Sequence, residues 1–72
     1  MSLKERIIVN IKYYREQANL SQEELSLKLG RKKDFIKKLE DNKYKREPTI
    51  VLIYEIAVLL NLSMDELIMD EK

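Results

Sequence analysis

Residues 21–42, SQEELSLKLGRKKDFIKKLEDN, decide the reading of this 72-residue chain. Ser21 can accept from the backbone N–H three residues on while Glu24 reaches back to the Ser21 N–H, a reciprocal capping box that starts a helix at Gln22. Leu25 and Leu29 share one face of that helix, and Ser26 is small enough to let another helix approach closely. Gly30, the single glycine of the chain, stands where the helix must be left, with a positive φ. A second helix is predicted from Lys32 to Glu40, with Ile36 and Leu39 inward and Lys33, Asp34, Lys37 and Lys38 outward. Asn42, the best substitute for glycine in a left-handed conformation, ends it.

The same signals give three more helices. Ser2 and Glu5 form a capping box, and Leu3, Ile7, Ile11, Tyr14 and Ala18 recur at helical spacing, so residues 3–18 are a first helix ended by Asn19. Leu20 then docks inward before the helix of residues 22–29. Pro48 and Thr49 open a helix over 50–60 whose inward stripe is Ile50, Ile53, Ala57 and Leu60, ended by Asn61. Ser63 and Glu66 cap a short helix over 64–69 with Met64 and Leu67 inward, and the last residues fray. With one Gly and one Pro the chain has little turn chemistry for a sheet. The expected fold is all-α, a single compact five-helix domain over residues 1–72.

Composition narrows the function. Without Cys or His there is no disulfide framework, no thiolate metal site and no imidazole base. Carboxylates spread over caps and exposed faces form no catalytic constellation, so neither an enzyme nor a cofactor or metal site is expected. No stretch approaches the roughly 18 apolar residues of a membrane span, and no signal-peptide core is visible, which points to a cytoplasmic protein. Net charge is only +1, but its distribution is uneven. Residues 1–27 are neutral overall, residues 28–46 hold nine cations against three anions, and residues 47–72 hold one cation against six anions. The positive end of this dipolar field falls on the second half of the helix pair and the loop after it. Two short helices joined by a tight turn, the second so charged, have the form of a helix-turn-helix reader of DNA.

With all five helices placed, the chain resembles the Cro/repressor family of bacterial and phage regulators, the XRE-type, lambda-repressor-like helix-turn-helix domain. The matching residues are Ile11, Tyr14 and Arg15, then Leu20-Ser21-Gln22-Glu23-Glu24-Leu25, then Gly30, Ile36, Leu39 and Glu40. Pro48, Ile50, Ile53, Ile56-Ala57, Leu60, Leu62-Ser63 and Asp65-Glu66-Leu67 follow. The resemblance implies a sequence-specific regulator of transcription, a repressor bound to double-stranded DNA. It places Gln22 at a phosphate or an outer base edge, unless it is simply a solvated residue of the first turn. It puts Lys32, Lys33, Asp34, Lys37 and Lys38 at the bases, where Lys donates to guanine and Asp accepts from cytosine, although a Lys may equally hold a phosphate. Lys43, Tyr44, Lys45 and Arg46 fall in the loop that lies along the DNA backbone in the family, here about two residues longer. It also implies a largely buried pair of Arg15 with Glu40, joining the first helix to the end of the third.

Some positions depart from that pattern. Arg31 stands where an apolar residue usually docks, so either its stem lies along the surface or it joins the phosphate contacts. Lys32 occupies the usual Ser/Thr cap position, so the recognition helix starts weakly. Phe35 replaces a small or polar residue and either touches thymine methyls or packs against a neighbour such as Leu27, the more ordinary fate of an aromatic.

The fourth helix has more apolar residues than one core needs. On a wheel, Val51 and Val58 fall on one flank of the inward stripe and Leu52 and Leu59 on nearly the opposite side. With Leu59, Ile68 and Met69, the two valines suggest a homodimer interface on helices four and five, and hence an inverted-repeat operator. The rival reading is a protein-interaction module of the same fold, an antitoxin or adaptor, meeting a second protein through those helices. Neither reading includes a membrane or a small-molecule substrate.

Overall fold

The computed structural model describes residues 2–41 and 48–69. These form α1 (Leu3–Gln17), α2 (Gln22–Lys28), α3 (Phe35–Glu40), α4 (Ile50–Leu60) and α5 (Met64–Ile68), with no strand among the described residues. Each helix start but one has a side-chain cap. The hydroxyls of Ser2, Ser21 and Ser63 accept from the N–H groups of Glu5, Glu24 and Glu66 at 3.1, 3.0 and 3.2 Å, and each glutamate accepts in return from its serine N–H. Thr49 Oγ1 accepts from the Leu52 N–H at 3.1 Å. Asp34, which precedes α3, makes no such bond.

Three helices also end alike. Asn19, Gly30 and Asn61 are left-handed, with φ of 58°, 73° and 58°. The N–H of the next residue reaches back across the turn, Leu20 to the Arg15 carbonyl at 3.1 Å, Arg31 to Ser26 at 3.0 Å and Leu62 to Ala57 at 2.8 Å. At Gly30 an added Cβ would meet nothing within 4 Å, so the glycine serves the backbone angle and not the space.

The capping boxes make a testable contribution. Their serines hold the Glu5 and Glu24 carboxyls below the ordinary 4.5, chiefly through the Ser backbone N–H. Because the folded value lies below the unfolded one, the stabilisation is present above 4.5 and is lost as pH falls through the folded value. Ser21→Ala should lower the melting temperature by roughly 4–8 °C at neutral pH and lessen its fall on acidification only in part, because the backbone N–H that chiefly holds Glu24 remains. Thermal melts identical to wild type at neutral and acid pH would contradict this.

The core joins Ile7, Ile8 and Ile11 of α1, Leu25 of α2, Ile36 and Leu39 of α3, Leu52, Ile53, Ile56 and Ala57 of α4, and Leu67 of α5. Helix α2 packs on α3, α1 spans α3, α4 and α5, and α4 meets α5. Asn10, fully buried on α1, donates from Nδ2 to the Leu67 carbonyl at 2.8 Å and so ties down the last turn of α5.

Several expectations need correction. Helices α1, α2 and α5 each stop one residue earlier than the spacing predicts, and Leu3 and Ala18 are exposed at the two ends of α1. The predicted third helix loses its first three residues. Lys32, Lys33 and Asp34 form a turn closed by the Phe35 N–H on the Lys32 carbonyl at 3.0 Å, and α3 begins at Phe35. With no hydroxyl at Lys32 to cap a helix, the tighter turn prevails there. In α4 the buried face runs through Leu52, Ile53, Ile56 and Ala57, so Leu52 is 2% exposed and Ile50 is 71% exposed, the reverse of the wheel reading. A helix whose only charge is Glu55 has no polar face to set its rotation; contact with α1 and α5 sets it. The expected end of α3 at Asn42, the loop residues Lys43, Tyr44, Lys45 and Arg46, and the fraying expected after Met69 lie outside the described residues.

Candidate nucleic-acid interface

The geometry begins behind α3. Arg15, at the end of α1, places Nε 2.8 Å from Glu40 Oε2 and Nη2 3.0 Å from Oε1, a bidentate pair. Its third donor, Nη1, reaches the Leu20 carbonyl at 2.8 Å. The Arg15 side chain is 8% exposed and that of Glu40 3%. The bond to Glu40 holds the Arg15 guanidinium pKa above its ordinary value, against the opposing effect of burial. Gln22, on the first turn of α2, donates from Nε2 to Glu40 Oε1 at 2.9 Å. One carboxylate therefore ties the last residue of α3 to both α1 and α2.

The other end of α3 is held by a residue that sequence reading used only for its size. Ser26 is fully buried, donates from Oγ to the Gln22 carbonyl at 2.8 Å, and accepts from the Ile36 N–H at 3.0 Å. That acceptor does what Asp34 does not, satisfying a free N–H of the first turn of α3. A serine amid buried apolar positions was the available signal. Between these fixed ends Ile36 and Leu39 are fully buried, which leaves the other side of the segment to the solvent.

On that side Lys32, Lys33, Lys37 and Lys38 are exposed and Asp34 is half-buried. Asp34 and Lys38, one turn apart, pair at 3.1 Å, and the lysine bond holds the Asp34 carboxyl below its ordinary 3.8. Lys38 lies 62% exposed even so. Phe35 packs half-buried against the core, and the Arg31 guanidinium lies over its ring at 4.8 Å from the centroid. Arg31 itself is exposed. Of the apolar positions considered for an interface, Val51, Val58, Leu59 and Met69 are exposed, while Ile68 is half-buried against the core.

Among the described residues no cluster of three or more acidic, Cys or His side chains could hold a metal ion, and no helix is long and apolar enough to cross a membrane. What the segment offers is a cationic, solvent-facing ridge, the kind of surface that enters a DNA major groove.

Comparison with known proteins agrees. The family model described as "Helix-turn-helix" matches residues 11–67. The chain belongs to this family of DNA-binding transcriptional regulators. An uncharacterized HTH-type transcriptional regulator of Methanocaldococcus jannaschii is 34% identical over 61 residues, covering 85% of this chain and 89% of the relative. Another, of Archaeoglobus fulgidus, is 36% identical over 63 residues, covering 86% of each. Neither relative gives this chain the bacterial or phage source that the resemblance implies. A Neisseria protein solved as the hypothetical transcription factor NHTF shares the fold, with a TM-score of 0.82 at 20% identity over 94% of this chain and 76% of that one.

Proposed function

We propose that this helix-turn-helix regulator acts in the cytoplasm as a repressor, binding an inverted-repeat operator as a homodimer. The observation that carries the DNA-facing assignment is the exposure of Lys32, Lys33, Lys37 and Lys38 on a segment fixed from behind by Ile36, Leu39 and Glu40. The lysines donate to guanine edges or phosphates, and Asp34 accepts from a cytosine amine when Lys38 turns to the DNA. An amide carries two N–H donors; that of Gln22 gives one to Glu40 and offers the other to a phosphate at the start of α2. Lys43, Tyr44, Lys45 and Arg46 complete the contacts along the backbone.

The dimer assignment is supported by the outer face of α4. Ile50, Val51, Tyr54, Val58 and Leu59 are exposed there, with Met69 exposed just beyond α5. An apolar face of this kind is costly in water unless something covers it, and a second copy placed by a twofold would set two recognition segments about one DNA turn apart. Duplexes selected from a random-sequence pool should carry an inverted repeat. Val58→Asp should convert a two-chain sedimentation mass into a one-chain mass and weaken operator binding while each protomer stays folded. A wild-type mass of one chain at micromolar concentration, with and without the selected duplex, would contradict the dimer.

A second reading has one observation in its favour. A groove of about 280 Å³ between the end of α2 and α4, lined by Lys28, Leu29, Tyr54, Glu55, Val58 and Leu59, adjoins the same apolar face. In an antitoxin or adaptor it would receive a second protein, and duplex binding would then be weak or absent.

A further inference from the structure

Among the described residues three helices close with the same backbone device, and two of them follow the left-handed residue with a leucine. Leu20 and Leu62 are both half-buried against the core, as packing in this motif favours. The third, which closes α2 and leads into the recognition segment, has Arg31 instead, and Arg31 is exposed. A charge stands where the same motif twice places a leucine.

The Arg31 side chain is nonetheless ordered by a neighbour. Its guanidinium carbon lies 4.8 Å from the Phe35 ring centroid, and Phe35 is anchored on the core as the first residue of α3. The contact draws on the positive charge, and among the described residues no hydrogen-bond acceptor takes the guanidinium N–H donors. No described carboxylate pairs with Arg31. A planar fork held over an anchored ring, with its donors unspent, suits the two oxygens of a phosphate.

We propose that Arg31, seated on Phe35, is a phosphate anchor that grips the DNA backbone beside the groove read by Lys32 to Lys38. Phe35 is then a positioning residue, holding the guanidinium over its ring without touching DNA. The inference rests on the duplex-binding reading above.

The test measures binding to a short duplex of arbitrary sequence as salt is varied, so no operator need be known. Arg31→Gln should weaken binding about 3–10-fold near 0.1 M salt and make the slope of log affinity against log salt shallower by about one. Arg31→Lys should keep the wild-type slope and recover only part of the affinity, because an ammonium has the charge without the fork. Phe35→Leu should weaken the wild-type chain and leave the Arg31→Gln chain unchanged. Arg31→Gln with wild-type slope and affinity would overturn the proposal. If Phe35→Leu lowers the melting temperature, the two Arg31 variants decide alone, and equal slopes for them would overturn it. A wild-type chain whose duplex binding ignores salt would instead sink the DNA-binding reading and the anchor together.

Discussion

Arg15→Met should destabilise the fold by about 3–5 kcal/mol. The loss comes from what is stranded more than from the bond itself. Glu40 would keep only the Gln22 amide, and its nearly enclosed carboxylate would have no cation. For a domain of this size such a loss is comparable to the whole folding free energy of a few kcal/mol, so the variant should be largely unfolded at physiological temperature. Removing both charges with apolar residues of similar volume should recover much of the loss, because no unpaired charge then remains buried. Circular-dichroism melts of Arg15→Met, Glu40→Met and the double variant decide it. A single variant melting within a degree or two of wild type would show that the pair lies effectively in water.

Lys33→Glu combined with Lys37→Glu should weaken duplex binding by on the order of a hundredfold or more, since two attractive charges become repulsive at the phosphate surface. Both side chains are exposed and neither belongs to the Arg15, Glu40 and Gln22 cluster. The melting temperature should therefore move by only a few degrees. Loss of binding with an intact melt places the contact on this ridge. Unchanged binding would move the DNA surface elsewhere on the molecule.

How far the sequence carried these conclusions depends on how local the physics is. The serine boxes at Ser2, Ser21 and Ser63, the left-handed residues Asn19, Gly30 and Asn61, and the Thr49 cap are each decided within a few neighbours, and their positions were readable from the chain alone. The start of α3 is less legible, because Lys33 and Asp34 stand four residues before Lys37 and Lys38, a helical spacing, while no capping side chain marks where the helix begins. The rotation of α4 was not readable. Leu52 and Ile50 are equally apolar, and only the positions of α1 and α5 determine which is covered.

Side-chain partnerships across the fold divide the same way. Asp34 and Lys38 are four apart on one helix face, a pairing visible in sequence. The bridge from Ser26 to the Ile36 N–H spans ten residues, and the Asn10 bond to Leu67 spans 57. Nothing in local spacing announces either. Nor does the sequence announce the contact of Arg31 with Phe35, since it leaves Arg31 between a stem along the surface and a place among the phosphate contacts.

The Lys32 to Lys38 ridge should meet the phosphates and bases of duplex DNA. Titrating the wild-type chain against duplex over a range of salt tests this most directly. Six or so neutralised phosphates predict a slope of log affinity against log salt of roughly −5. A flat response, or no duplex binding even near 50 mM salt, would contradict the account and leave the outer face of α4 as the working surface of the molecule.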